Sequence, residues 1–364
     1  MRPKDRIGDS PGSGPPPARS SAFVRLADVA DHAGVSLSTA SRVLSYDSPP
    51  GRPDVRRRVL ASADALGYVP NPHARALATA NSATVGLVVH DLRDSYFALV
   101  AGGVIRVANE HGLFVTIHCT FRDPVQELRY VGMLRAQRAR AVILAGSGFE
   151  DRAHIKVMSA ALSAYTESGG AVVLISRHRF PGDAVLVDNR QGAAEMARHL
   201  ADLGHQRFGV VAGPARLTTV RDRLTGFRQG LASRQLELPD SLVVRDDFSR
   251  DGGYRAASRL LASAPEITCL FAVNDVMAVG ALAAAREAGI AVPGQLSLAG
   301  FGDVPIAQDV TPALTTVRLP LEQIGAEAMQ LALNANRTAR PRTVVLGYQL
   351  QIRGSTSAPP AAAR

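Results

Sequence analysis

The segment from Ser36 to Leu44 sets short hydroxyl side chains beside a single charge, in the order Ser36-Leu37-Ser38-Thr39-Ala40-Ser41-Arg42-Val43-Leu44. Coiled as a helix, it turns Ala40, Val43 and Leu44 to one side and brings Leu37, Ser38, Ser41 and Arg42 onto or beside the other. The second side could read a DNA groove. An arginine fork matches the paired acceptors of guanine, a leucine matches a thymine methyl, and Ser38 could contact either base. Thr39 and Ser41 suit phosphate contact or capping, which positions a protein without reading sequence.

Such a face works only if neighbouring helices hold it. Leu26, Val29 and Ala30 recur at helical spacing ahead of it, Ala33 continues that apolar face, and Gly34-Val35 supplies a tight turn. Ser36 then caps the next helix with its hydroxyl. A third helix over residues 54–66 closes the bundle through Val55, Val59, Leu60, Ala63 and Leu66, and Gly67 ends it. The turn alone fits a plain three-helix bundle equally well.

The whole chain, 364 residues at 46% hydrophobic, has room for a small domain and one or two of ordinary size. Net charge is +9, and residues 1–80 carry 11 basic against 7 acidic side chains, a mild excess that suits a polyanion. Because only Lys4 and Lys156 among the 41 basic residues are lysine, the arginine excess reflects coding composition more than contacts. Cys119 and Cys269 are too few for a disulfide framework, and no metal-ligand spacing links the nine histidines. Gly146-Ser147-Gly148 is neither a nucleophile elbow nor a dinucleotide loop, and there is no P-loop, so neither an enzyme nor a cofactor is expected. No run of 18 apolar residues occurs, and residues 1–22, with Pro11, Pro15, Pro16 and Pro17, lack the apolar stretch of a secretory signal. They are expected to be a disordered tail, and the protein to be cytoplasmic and away from membranes.

From residue 85 onward short apolar runs alternate with helical stretches. Strands are expected at 85–89, 114–118, 141–144, 171–175, 208–211, 269–273 and 296–299. Helices are expected at 97–111, 124–138, 192–203, 226–234, 252–262, 276–288 and 321–334. This alternation predicts doubly wound α/β layers, whose ligands bind beyond the carboxyl ends of the strands.

Taken together, Arg25-Leu26-Ala27-Asp28-Val29-Ala30, Ala33-Gly34-Val35-Ser36, Thr39-Ala40-Ser41-Arg42-Val43-Leu44 and Leu66-Gly67-Tyr68-Val69-Pro70-Asn71-Pro72 resemble the headpiece of the lactose-repressor (LacI/GalR) family of bacterial transcription factors. Further along, Val187-Asp188-Asn189, Leu203-Gly204-His205, Ala272-Val273-Asn274-Asp275, Ser297-Leu298-Ala299-Gly300-Phe301 and Pro312-Ala313-Leu314-Thr315-Thr316-Val317 extend the resemblance to Gly354. It implies an α/β fold: an N-terminal three-helix helix-turn-helix headpiece over 23–70, a hinge helix and linker over 71–84, and a periplasmic-binding-protein-like effector and dimerisation domain over 85–354. That domain would divide into an N-subdomain (85–183 and 315–346) and a C-subdomain (184–314 and 347–354), both doubly wound parallel sheets, with residues 355–364 as a disordered tail.

The same resemblance implies a transcriptional regulator, expected to be a repressor, that binds a pseudo-palindromic double-stranded operator as a homodimer and responds to a small-molecule effector, expected to be a sugar, sugar derivative or phosphosugar, bound between two α/β subdomains. A small-molecule receptor on the same scaffold is the alternative. DNA contacts are implied for Ser36, Leu37, Ser38, Thr39, Ser41 and Arg42, and in the hinge for Asn71, His73, Ala74 and Leu77. Leu77 would wedge into the minor groove. Residues 71–78 make only about two turns, too short to be a stable isolated helix, and should fold on DNA.

The effector cleft is implied to be lined by Tyr96, Phe97, Asp188, Arg223, Phe248, Asn274, Asp275 and Asp303. From the residues alone, Tyr96 and Phe97 fit an ordinary core as well, and Arg223 fits a surface ion pair with Asp222. Phe301-Gly302-Asp303 departs from the family's aromatic-Asp-Asp pattern. The absent carboxylate predicts a more electropositive cleft, suited to a phosphorylated or carboxylated effector.

Overall fold

The structure, a computed structural model, describes residues 24–44, 52–69, 83–335 and 340–360. The chain falls into two compact units, Met1–Ala78 and Thr79–Arg364. The tail expected over 1–22 and the hinge positions Asn71, His73, Ala74 and Leu77 lie outside the described residues.

The first unit contains α1 (Leu26–Ala33), α2 (Leu37–Val43) and α3 (Pro53–Ala65). Gly34 ends α1 in the left-handed region at φ 62°, which glycine enters without steric cost, and the Val35 N–H donates back to the Ala30 carbonyl. Ser36 caps α2 by accepting the Thr39 N–H at 3.2 Å. Pro53 opens α3, where its missing N–H would have had no helical partner. Val29, Ala30, Ala33, Ala40, Val59 and Ala63 form the core. Leu60, expected inside, is 43% exposed. Val59, Ser62 and Ala63 already make the inward stripe, and Leu60 lies about 100° round the helix from Val59.

In chain order the second unit runs β1 (Thr84–Val89), α4 (Ser95–Glu110), β2 (Phe114–Cys119), α5 (Pro124–Ala136), β3 (Ala141–Ala145), α6 (Arg152–Glu167), β4 (Ala171–Ile175), β5 (Asp183–Val187), α7 (Asn189–Asp202), β6 (Phe208–Ala212), α8 (Thr218–Ala232), β7 (Val243–Arg245), α9 (Arg250–Ser263), β8 (Cys269–Ala272), α10 (Asp275–Glu287), β9 (Ser297–Ala299), α11 (Ile306–Asp309), β10 (Thr316–Arg318), α12 (Leu321–Leu333), β11 (Thr343–Leu346) and β12 (Gln349–Gln351). One sheet has the order β11-β5-β4-β3-β1-β2 and the other β7-β6-β8-β9, with every pairing parallel. Both centres are continuous apolar runs, such as β3 and β6, buried on the two faces by helices. The antiparallel pair β10–β12 lies where the chain passes between subdomains.

Three boundaries differ from expectation. Strand β5 pairs with β4 and β11, so residues 183–187 belong to the first subdomain and the chain crosses at 188. The next crossing follows β10, and α12 then packs on α4 and on the first sheet. Residues 355–360 are not a loose tail. Ser355 is fully buried, donating its hydroxyl to the Leu298 carbonyl at 2.6 Å and accepting the Thr315 N–H at 2.8 Å. Buried His205 further shares its Nε2 with the Ser357 carbonyl at 2.9 Å. Small Ser and Thr side chains let this segment lie against β9 and satisfy its backbone, an arrangement that low-complexity composition conceals. Helix α6, capped by Asp151 and buried through Met158, Leu162 and Tyr165, is an element the sequence reading passed over.

Among the described residues no helix is long and apolar enough to cross a membrane, and no group of three His, Cys, Asp or Glu is placed to hold a metal ion.

Candidate effector cleft and recognition helix

Loops beyond the carboxyl ends of strands in both sheets converge on one cavity. The first subdomain contributes His90 after β1, Asp94, Tyr96 and Phe97 at the start of α4, Arg122 after β2, Ser147 after β3 and Ser176 after β4. The second contributes Thr219 and Arg223 of α8, Phe248, Asn274, Asp275, Phe301 and Gly302. Free space between them is about 40 Å³, room for a few waters but less than the roughly 300 Å³ of ordinary ligand sites. A ring-sized ligand would enter by parting the two lips. A hollow of about 850 Å³ elsewhere, lined by Arg135, Arg138 and Tyr165 near helix carboxyl ends, brings together no comparable set of aromatic and carboxylate side chains.

Arg223 anchors the second wall. Its Nε donates to Asn189 Oδ1 at 2.8 Å, one terminal nitrogen donates to the Val273 carbonyl at 2.7 Å, and its guanidinium lies 3.9 Å from the centre of the Phe301 ring. Burial lowers its pKa to about 10, so it stays charged at neutral pH. Asp222 instead pairs with Arg177 at 2.6 Å, which removes the surface-pair reading of Arg223. Asp275 accepts the Thr316 hydroxyl at 2.6 Å on one oxygen and the Val304 N–H at 3.0 Å on the other, and burial pushes its pKa up to about 6. Asn274 caps α10 through Oδ1, which accepts the Met277 N–H at 2.8 Å.

Across the gap, Asp94 caps α4 by accepting the Tyr96 N–H at 3.0 Å, and burial raises its pKa. Tyr96 and Phe97 meet edge to face at 5.1 Å between centroids. Phe97 is both a core residue, 4% exposed, and part of the wall, so the two readings of it are compatible. His90 sits beneath the lip at 5.6 Å from Phe97, and burial first and Arg122 second lower its pKa to about 4.

Six of the eight expected cleft residues come together: Tyr96, Phe97, Arg223, Phe248, Asn274 and Asp275. Two do not. Asp188 is exposed and serves as the N-cap of α7, accepting the Gln191 N–H at 2.9 Å; the strand before it belongs to the first sheet, and the carboxylate is used at the crossing. Asp303, at φ 55°, is clamped between Arg318 and Arg353, each at 2.6 Å, and fastens β10 to the segment after β12. Sequence reasoning missed His90, Asp94, Arg122, Ser147, Ser176, Thr219 and Phe301; most directly follow a strand, the one signal that could have found them.

The electropositive cleft inferred from Gly302 is not what forms. Gly302 takes φ 137°, and a Cβ there would stand 3.2 Å from Asp275 Oδ2. The adjoining wall therefore already holds a carboxylate, and Asp94 and Asp275 face Arg122 and Arg223 in balanced number.

On α2, Leu37, Ser38, Ser41 and Arg42 are exposed while Ala40 is fully buried, which presents one short face to solvent. The Ser36 hydroxyl also lies 2.8 Å from Thr39 Oγ1 and 3.0 Å from Ser38 Oγ, so the helix start is stiffened by its own side chains.

Residues 25–71 match the family described as bacterial regulatory proteins, lacI family, and residues 197–356 match a periplasmic binding protein-like domain. Among curated proteins, the chain is 34% identical to the HTH-type transcriptional regulator DegA of Bacillus subtilis, over 91% of this chain and 97% of that one. It is 37% identical to the regulator GalS of Salmonella typhimurium, over 85% and 89%. Among solved structures, a complex of the transcriptional regulator CelR with cellobiose superposes with a TM-score of 0.67 at 28% identity, covering 91% of this chain and 99% of that chain. The chain belongs to the lacI family of bacterial regulatory proteins and is a DNA-binding transcriptional regulator, not an enzyme, whose operator affinity is controlled by a small molecule held between two α/β subdomains.

Proposed function

We propose that the cleft binds a neutral sugar or sugar-like polyol. The balance of two carboxylates against two guanidiniums beside an aromatic wall carries this reading. Carboxylates accept hydroxyl protons, guanidiniums donate to hydroxyl oxygens, and Tyr96, Phe248 and Phe301 in the lining give the wall apolar surface for a ring. A net-charged effector would bring into the cleft a charge that this balanced wall does not offset. The resemblance to a regulator solved with cellobiose supports a carbohydrate. Calorimetry with D-glucose, D-galactose and cellobiose against glucose 6-phosphate and galactose 6-phosphate tests the class. Tighter binding of a neutral member is expected; a phosphorylated member binding more tightly at neutral pH overturns it.

In this reading α2 lies in the major groove with Arg42 on guanine, Leu37 on a thymine methyl and Ser36, Ser38, Thr39 and Ser41 on bases or phosphates. The hinge residues Asn71, His73, Ala74 and Leu77 act in the minor groove. Two copies of the chain pair on a pseudo-palindromic site, in the cytoplasm, and repress. The effector works through its unequal affinity for two arrangements of the subdomains, which pivot on the crossings at 188, after β10 and before β12.

A further inference from the structure

Among the described residues, Arg122 is the cleft cation whose Nε the fold leaves without a hydrogen-bond partner. Arg223 spends Nε and a terminal nitrogen on Asn189 and Val273. The Arg122 Nε is buried and has no hydrogen-bond partner among the described residues. Its loop is built to hold it there. Phe121 and Arg122 both take left-handed backbone conformations, φ 51° and 60°, which bulky side chains adopt only when surroundings enforce them. Here the Phe121 N–H donates to the His90 carbonyl at 2.8 Å, the Arg122 N–H to Thr120 Oγ1 at 3.3 Å, and the Asp123 N–H to the Thr120 carbonyl at 2.9 Å. The guanidinium crosses the gap to lie 5.3 Å from the Phe248 ring centre, on the opposite subdomain. Asp94, Asp91 and Asp247 favour its charge without any of them pairing with it within 4 Å among the described residues. A buried donor left without an acceptor is costly, and a ligand oxygen would relieve that cost.

We infer that Arg122 is a specificity-determining residue of the effector site, donating from Nε to one hydroxyl oxygen of the bound polyol while its stack on Phe248 fixes the closed lips. This rests on the sugar reading of the cleft. It adds that one oxygen of the effector is read by the loop after β2, a position outside the expected binding set. A cation placed for an acceptor discriminates against an analogue lacking that oxygen far more sharply than an apolar wall could.

Calorimetry on the full chain tests it, using whichever of D-glucose, D-galactose, D-ribose and cellobiose binds most tightly, together with its monodeoxy analogues. In the wild-type protein one deoxy analogue should bind roughly 10- to 100-fold more weakly than the parent, the range of a hydrogen bond to a charged group. Arg122→Gln should weaken the parent by a similar factor and abolish the penalty for that analogue alone. Arg122→Lys, which keeps charge and length but lacks Nε, should behave like Arg122→Gln and guards against a folding defect, while Phe248→Leu should weaken all analogues evenly. Parent binding within twofold in both Arg122 variants, or a deoxy penalty unchanged by them, overturns the inference. If none of the four sugars binds the wild-type protein, the carbohydrate reading fails first, and this inference fails with it.

Discussion

Gly302→Asp would restore the carboxylate common in the family, and the structure says what that should cost. The residue sits at φ 137°, so any side chain brings backbone strain of roughly 1–3 kcal/mol. Its Cβ would lie 3.2 Å from Asp275 Oδ2, setting two carboxylates within about 4 Å, where full repulsion is on the order of 4 kcal/mol at an effective dielectric of about 20. A cheaper outcome exists. Asp275 already has a pKa pushed up to about 6 by burial, so holding it protonated costs about 1.4 kcal/mol at pH 7, about 3 at pH 8 and almost nothing at pH 5.5. The variant should therefore protonate Asp275 rather than tolerate the repulsion. Gly302→Ala carries the strain without the charge, and the difference between the two variants isolates the carboxylate. At roughly 2–4 °C per kcal/mol, scanning calorimetry should find Gly302→Asp melting about 3–6 °C below Gly302→Ala at pH 7, about twice that at pH 8, and level with it at pH 5.5. A difference that stays flat from pH 5.5 to 8 would refute the reasoning, because it would place the new carboxylate away from Asp275.

Three further outcomes follow from the same geometry. Arg42→Ala, on an exposed helix face, should leave the melting temperature unchanged and weaken operator binding by roughly 10- to 100-fold with relaxed preference at one guanine, read by competition among single-base operator variants; an unaltered base preference removes Arg42 from direct readout. Leu77→Ala should lose specific operator affinity and bending while keeping non-specific affinity, and bending that persists in a gel-shift phasing assay speaks against a minor-groove wedge. His90 has its pKa lowered from 6.5 to about 4, so it binds a proton more readily in the unfolded chain and its contribution to stability is lost as pH falls from about 6.5 to 4, about 3 kcal/mol in all. Asp275, raised from 3.8 to about 6, acts oppositely in an overlapping window, gaining stability as pH falls. His90→Gln should accordingly convert a nearly flat acid limb into one that rises toward pH 4.5, and urea titrations showing no change in that slope would rule the assignment out.

Much of the fold was legible because the long parallel strands are continuous apolar runs that leave little choice of period. What escaped is set by tertiary pairing. Strands β7, β10 and β12 are three residues each and exist because a neighbour is already in place. Helix α8 begins eight residues before its expected start: β-branched Thr218-Thr219-Val220 have low helix propensity, and here they are helical and buried. In the site, residues carried by a motif came together, whereas Asp94, Arg122 and His90 carry no motif and gain meaning only from which strand precedes them. Asp188 and Asp303 sat in the right motifs, but the local fold uses their carboxylates for a cap and a crossover clamp. Gly302 misled in the other direction: the missing charge was visible in the sequence and Asp275 was expected in the cleft, but that Asp275 stands directly beside Gly302 was not.

The most direct measurement is operator affinity with and without the sugar that calorimetry identifies, using duplexes selected from random sequence and fluorescence anisotropy on the full chain. Saturating sugar should change operator affinity by roughly 5- to 150-fold, and operator should change sugar affinity by the same factor. A sugar that binds the cleft while operator affinity stays the same would contradict the coupling of the two sites.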